Sequence, residues 1–328
     1  MDPSMKAIVP SAAGGPDVLE IVDRPVPETG DHGVLVRVRA VGVNRPDVQQ
    51  RRGLYPPPPG VTDILGLDVA GTVAAVGNKV ERWQEGDSVC ALVVGGAYAE
   101  YCAVPEPQCL PIPEGLSLEE AASLPEVFFA AWTNIFERGR LADGEVLLIQ
   151  GGTSGVGLAA IQMVKVLRDV VVAATVGSDK KRDYCLGFGA DHVFNYKDEN
   201  WPGQVREATG GVDVILDHQA GDYIAIEQEL LNIEGRIVLI ATHQDPIAKV
   251  NLRDVVRRRL TITGSTLRPR TPEQKGEIAR ALETQVWPRF ASGEIKTFVQ
   301  TVVDFGEVRE AHRILDENRQ IGKVVLRL

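Results

Sequence analysis

The sequence predicts an α/β protein built of two parts, a β-rich domain and a parallel-sheet domain. Three observations predict it. Short β-branched runs broken by Gly, Pro and Asp fill the chain to about residue 115, strands alternate with helical stretches from Pro113 onward, and strand character returns near Gly322. At about 150 residues per domain, 328 residues make two domains, each able to bury its own core.

In order, Met5 is read as the natural start and opens a strand over Lys6–Val9. Strands follow over Val34–Val41, Gly71–Gly77 and Ser88–Val93, with turn residues between them. Tyr55-Pro56-Pro57-Pro58-Pro59-Gly60 is a stiff loop, because each proline fixes φ and removes a donor. Ser117-Leu118-Glu119-Glu120 is a capping box ahead of an apolar-periodic helix. Strands are then expected over Val146–Gln150, Val170–Thr175, His192–Asn195, Val212–Asp217 and Arg236–Ala241, a pattern that builds a parallel sheet. A long amphipathic helix over Glu273–Phe290 reads as a packed surface helix, and the last strand is expected to rejoin the first domain.

Composition narrows the function classes. With 44% hydrophobic and 24% charged residues the chain is neither disordered nor fibrous, and no uncharged apolar run is long enough for a membrane span. The formal charge of −10 disfavours a phosphate backbone as partner, since the tightest basic run is Arg257-Arg258-Arg259. Four cysteines without a CxxC pair, and no secretory leader, read as a reducing cytoplasm, and buried packing is the expectation for Cys90 and Cys102.

The most informative segment is Gly151-Gly152-Thr153-Ser154-Gly155-Val156-Gly157, between the apolar strand and a helical run. Its GxxGxG spacing is a variant of the dinucleotide fingerprint: glycines let the backbone turn tightly beneath a pyrophosphate that sits at the helix N-terminus. After the second strand comes Gly177-Ser178-Asp179-Lys180-Lys181-Arg182. A small hydroxyl residue and a cationic cluster suit a 2′-phosphate, which favours NADPH, while Asp179 argues the other way.

Metal ligands are scarce. Five histidines are scattered without a ligand pair at helical spacing, there is no four-cysteine lobe, and the position where a zinc dehydrogenase of this layout would carry histidine reads Gly66-Leu67-Asp68. Hydride chemistry without a metal needs an acceptor that delocalises its own negative charge, such as a quinone or an α,β-unsaturated carbonyl.

These residues resemble the zinc-free quinone oxidoreductases of the medium-chain dehydrogenase/reductase superfamily, nearest the tumour-suppressor-inducible branch of the zeta-crystallin relatives. The resemblance runs nearly end to end, through Gly42–Asp47, Gln50–Gly60, Ile64–Gly71, Ala97–Tyr101, Leu124-Pro125-Glu126, the glycine loop, Gly264–Arg268 and Ile321–Leu326. It implies a GroES-like catalytic domain over 1–123 and 267–328, a Rossmann domain over 124–266, NADPH and substrate in a cleft, and a homodimer. It also implies that Asn44 and Asp47 lie near the nicotinamide and that Tyr55 stands beside the substrate. Gly152, Thr153, Ser154, Gly155, Val156 and Gly157 would carry the pyrophosphate, Ser178, Lys181 and Tyr196 the adenosine 2′-phosphate and ribose, and Gly221 a further cofactor contact. Tyr55 has chemical sense as well, since its ring can stack on a planar quinone and its hydroxyl can meet an oxyanion.

The sequence departs from the family in three places. Ala130 stands where relatives often have threonine, and His218-Gln219-Ala220-Gly221 and Ile240-Ala241-Thr242-His243-Gln244-Asp245 replace apolar, glycine-rich ends. His218 or His243 is a candidate proton donor to a substrate oxyanion, beside the plainer reading of an exposed loop histidine. NADPH-dependent reduction of quinones, by hydride or single electrons, is therefore expected. Ene reduction of enones or 2-alkenals, a non-enzymatic crystallin-like NADPH-binding protein, and RNA binding stand as alternatives, the last opposed by the net charge.

Overall fold

The computed structural model describes residues 3–328, so Met1 and Asp2, and the expectation that they precede a natural start at Met5, lie outside the described residues. The chain divides into two units, one formed by residues up to Phe129 together with Arg268–Leu328 and the other by Ala130–Leu267.

Along the chain the strands of the first stretch are β1 (Ser4–Pro10), β2 (Leu19–Pro25), β3 (Gly33–Val43), β4 (Asp68–Val76), β5 (Ser88–Leu92), β6 (Tyr101–Pro105) and β7 (Cys109–Pro111). Helices α1 (Arg45–Arg51), α2 (Leu118–Ala121) and α3 (Pro125–Trp132) accompany them. The middle of the chain runs β8 (Val146–Ile149), α4 (Gly155–Leu167), β9 (Val171–Val176), α5 (Asp179–Gly187), β10 (His192–Asn195), α6 (Trp201–Thr209), β11 (Val212–Asp217), α7 (Tyr223–Leu230), β12 (Leu231–Leu239), α8 (Leu252–Arg258) and β13 (Thr261–Gly264). The last stretch holds α9 (Pro272–Gln285), α10 (Pro288–Ala291), β14 (Val299–Asp304), α11 (Val308–Asp316) and β15 (Lys323–Arg327).

In the first unit a sheet of order β14-β15-β3-β4-β5-β7 has β6 added on β3, and β1 pairs with β2 in a separate antiparallel ribbon. Its core comes from the inward residues of these strands, including Ile8, Val36, Val41, Val69, Val89 and Leu326, with Leu65 from the loop before β4. The C-terminal strand rejoins this unit as expected: β15 pairs antiparallel with β3, Leu326 opposite Val41.

The second unit is an all-parallel sheet of order β10-β9-β8-β11-β12-β13. Strand order reverses between β8 and β11, which is the doubly wound arrangement and puts ligands at the carboxyl ends of the central strands. Leu148, Ala173, Val212, Ile215 and Ile237 build its core.

Four expectations shift in detail. Residues 124–129, assigned from the sequence to the second domain, join the first unit, where Phe128 packs edge-on against Trp287 and Phe290 and stacks near Phe298. The helix after Ser117 is two helices, broken before Pro125, whose ring cannot continue the α2 ladder. The long helix of the tail stops at Gln285 and resumes at Pro288 for the same reason, and the strand expected over Arg236–Ala241 begins earlier, at Leu231, and ends at Leu239.

Candidate functional site

In the second unit β8 delivers the chain into the glycine loop, and the sequence dictates its shape. Gly151 has φ +66°, and a Cβ there would lie 2.4 Å from the His218 ring. At Gly152 a Cβ would come within 2.8 Å of Ala174 and the Cys185 sulfur, and at Gly157 within 2.6 Å of the Gly152 carbonyl. Glycine is therefore what lets the loop lie on β9 and lets α4 lie on the loop. The Gly151 amide donates to Thr175 Oγ1 (3.2 Å), the Gly152 amide to the Thr175 carbonyl (2.9 Å), and Ser154 Oγ caps α4 by accepting from Gly157 N (3.0 Å). Thr153 is buried, while Gly155 and Val156 open the 13-residue helix with amides that no helix carbonyl can take. Such a turn, at the positive end of α4, fits a pyrophosphate.

A buried relay supports the loop from below. Glu227, fully buried, accepts from Gln150 Nε2 (2.8 Å), and Gln150 Oε1 accepts from Thr175 Oγ1 (2.6 Å), the same hydroxyl that receives the Gly151 amide. Burial, then the nearby charge of Asp217, holds the Glu227 carboxyl well above its ordinary range.

Beyond β9, Ser178 Oγ caps α5 by accepting from Lys181 N (3.4 Å). Tyr196 leans across: a Cβ at Gly177 would meet its hydroxyl at 2.4 Å. Half-burial, then the charge of Lys197, lowers the Lys181 pKa. The structure thus gathers Ser178, Lys181 and Tyr196 at one strand end and adds Lys197, missed in the sequence because it lies sixteen positions past Lys181 on another strand's exit. Neither lysine has an ion pair among the described residues, so two like charges stand together with donors free for an anion.

At the ends of β11 and β12 the two departures from the family meet. The His243 amide donates to the His218 carbonyl (3.0 Å) and the imidazole rings are 5.6 Å apart. Ala220 and Gly221 both have φ +57°, and Gly221 lies against Asp245.

The first unit holds Asn44, Asp47 and Tyr55. Asn44 N donates to Asp47 Oδ2 (2.8 Å) at the start of α1, Asn44 Nδ2 donates to Asp68 Oδ2 (2.8 Å), and Lys323 Nζ donates to both Asn44 Oδ1 (2.6 Å) and Asp68 Oδ2 (2.9 Å). Asp47 also accepts from Tyr98 OH (3.2 Å), whose oxygen lies 3.3 Å from His312 Nε2, while Arg51 Nη1 is 3.2 Å from His312 Nδ1. Burial, then the charge of Arg51, lowers the His312 pKa to about 3, so the ring is neutral. An arginine can only donate, so Nδ1 accepts, Nε2–H donates to the Tyr98 oxygen, and Tyr98 donates to Asp47. This chain has one direction. Burial first, and the charge of Asp68 with it, raises the Asp47 pKa to about 7.

Tyr55 sits on the proline loop with its ring 5.3 Å below the Arg268 guanidinium, and burial raises its pKa. Glu126, half-buried at the head of α3, has its amide donating to Asp68 Oδ1 (2.6 Å) and its carboxyl raised to about 8 by burial and then by Asp68. The sequence offered Glu126 and Arg268 only as parts of resembling segments, because their neighbours come from distant stretches of chain. Among the described residues no group of three or more His, Cys, Asp or Glu is placed to hold a metal ion. At Gly66, with φ +98°, a Cβ would lie 2.3 Å from the Tyr98 ring.

A strand-rich unit and a doubly wound unit that carries a glycine loop at its switch point, in one chain, define an NAD(P)-binding dehydrogenase of the medium-chain type. A family model described as alcohol dehydrogenase GroES-like domain matches residues 30–114, and one described as zinc-binding dehydrogenase matches 155–284. The chain is 32% identical to mouse quinone oxidoreductase over 99% of this chain and 98% of that protein. Among solved structures, quinone oxidoreductase from Escherichia coli complexed with NADPH matches with TM-score 0.87 and 28% identity over 98% of this chain and 100% of that one. A structure described as an NAD-dependent alcohol dehydrogenase matches with TM-score 0.84 and 33% identity over 99% and 100%. The chain belongs to the quinone oxidoreductase family of the medium-chain dehydrogenase/reductase superfamily. It is an oxidoreductase.

Proposed function

We propose that this protein is an NADPH-dependent, zinc-independent reductase of quinones. The observation that carries the reading is Gly66: where a zinc dehydrogenase of this layout would present histidine, even a methyl group would strike the Tyr98 ring. Asp68, two residues on, is spent on Lys323 and Asn44. An acceptor reduced without a metal must carry its own negative charge by conjugation, which quinones do. The nicotinamide supplies hydride when bound, and this chain's residues bind and orient. Gly152, Thr153, Ser154, Gly155, Val156 and Gly157 would hold the pyrophosphate, and Gly221 would contact the cofactor. Ser178, Lys181, Lys197 and Tyr196 would hold the 2′-phosphate, which supports NADPH over NADH. Tyr55 would lie against the acceptor, near Asn44 and Asp47. All four cysteines are free thiols, which agrees with a cytoplasmic enzyme, and no helix among the described residues is long and apolar enough to cross a membrane. A homodimer completes the proposal, supported by the open edge strand β13 and the uncovered apolar residues of α8.

The test is cofactor oxidation, followed by near-ultraviolet absorbance, with 1,4-benzoquinone, 9,10-phenanthrenequinone and 2-alkenals, each with NADPH and NADH. The expected outcome is fast quinone turnover preferring NADPH, with Lys181→Ala losing about 1.5–3 kcal/mol, or roughly tenfold or more, of that preference. Turnover with alkenals alone would move the assignment to ene reduction. NADPH binding with no turnover at all would make it a non-enzymatic binding protein.

A further inference from the structure

Arg268 opens the C-terminal part of the first unit and is only 5% exposed. Its guanidinium is held on two sides: Nε donates to the Val94 carbonyl (2.7 Å) and Nη2 to Gln50 Oε1 (2.7 Å). The backbone is held as well, since Lys275, itself fully buried, donates from Nζ to the Arg268 carbonyl (3.0 Å). The third nitrogen, Nη1, is buried and has no hydrogen-bond partner among the described residues. An unsatisfied buried donor is costly, more so on a charged group, and arginine cannot escape by losing its proton. Structures keep such a group where something else completes it.

The surroundings say what that is. The guanidinium lies over the ring of Tyr55, which is half-buried and so partly open to solvent on its own side. The Tyr55 hydroxyl makes no hydrogen bond among the described residues, and its raised pKa keeps it a neutral donor. Asp47 and Glu126 are the acids whose charges Arg268 feels, yet neither bonds to it. Both have raised pKa values, which leaves the cation without a close, permanently charged partner.

We propose that Arg268 Nη1 and the Tyr55 hydroxyl form a two-donor seat for an oxygen of the acceptor, the carbonyl oxygen of a conjugated, planar molecule that becomes an oxyanion as the ring is reduced. The inference rests on the reductase reading above and deepens it by naming what fixes the acceptor. Arg268 moves no proton and no electron. It offers a fixed positive donor to an oxygen whose charge grows during reaction, the kind of contact that favours the reduced state over the starting carbonyl. Its fork is held by Val94 and Gln50, which fixes the direction of Nη1.

The experiment uses 4-nitrophenol as a planar probe with one ionisable oxygen, added to the purified protein without cofactor. Its visible absorbance reports phenol or phenolate. Bound beside Arg268, the probe is expected to ionise about one to three pH units lower than in free solution. Arg268→Met is expected to abolish that shift, and Tyr55→Phe, which keeps the ring and removes only the hydroxyl, to reduce it. In turnover, Arg268→Met is expected to lower kcat with benzoquinone about 10²-fold while leaving the KM for NADPH in place. Tyr55→Phe guards against a misfolded arginine variant. An unshifted probe on the wild-type protein, or an equal shift in Arg268→Met that folds as the wild type does, would overturn the seat. A shifted probe on a protein that reduces no quinone would keep the seat and sink the reductase reading. Full quinone turnover in Arg268→Met would do the reverse.

Discussion

Glu126 and Asp47 give the first unit a pH dependence whose sign is fixed by their burial. Both carboxyls are raised, to about 8 and about 7 from ordinary values of 4.5 and 3.8. The folded chain therefore keeps protons that the unfolded chain has released, and stability falls as pH rises from about 4 to about 8. His312 acts oppositely, because its pKa is lowered from 6.5 to about 3, so its contribution is lost as pH falls through that range. Between pH 6.5 and about 8 the two carboxyls set the slope, while Lys275, lowered by burial to about 8, opposes them from about pH 8 upward. Glu126→Gln, which keeps the shape and removes the titration, is expected to flatten the loss between pH 6.5 and pH 8 and to raise Tm at pH 8 by about 2–4 °C for each kcal/mol recovered. Melting curves at pH 5, 6.5 and 8 check this, and parallel wild-type and variant profiles would refute it. Single residues were legible where chemistry is local: Ser117 and Glu120 do form the capping box, with Glu120 N donating to Ser117 Oγ (3.2 Å). Arg268 was not, because nothing in its own segment shows that Tyr55 lies beneath it.

At the scale of elements, the parallel strands were legible from their apolar runs, and His192–Asn195 and Val212–Asp217 have the bounds expected. Breaks within helices were read through, although Pro125 and Pro288 mark them plainly. The glycine loop shows how tightly one element constrains another. Gly157 stands in the first turn of α4, and a Cβ there would crowd the Gly152 carbonyl, a backbone atom that has no rotamer to yield. Gly157→Ala is expected to cost about 1–3 kcal/mol of stability and to weaken NADPH binding at least tenfold. Fluorescence titration of the cofactor measures the second effect, and an alanine variant binding with wild-type affinity would show that the loop does not carry the pyrophosphate.

For the whole molecule, the two-part architecture was legible from composition along the chain, while the membership of residues 124–129 was not, since it is settled by Phe128 packing against aromatic residues more than 150 positions away. Leu252 and Val256 on α8 are 70% and 78% exposed, and β13 leaves one edge of the parallel sheet unpaired. Apolar residues left in water beside an open edge suit an interface between copies. Light scattering is expected to give twice the monomer mass for the wild type and a shift toward monomer for Val256→Asp. A monomeric wild type would refute the homodimer.

The pairing of β15 with β3 also sets an order of events during synthesis. Val43 emerges from the ribosome about 280 residues ahead of its partner Val324, a delay of tens of seconds at about 5–20 residues per second. The second unit is continuous, so every strand of its sheet is available by Gly264. The part of the chain made second is thus free to fold first, while Ala40–Val43 of β3 wait for their partner strand and Asp68 is without Lys323. Nascent chains halted between those two moments are where misfolding and chaperone capture would concentrate.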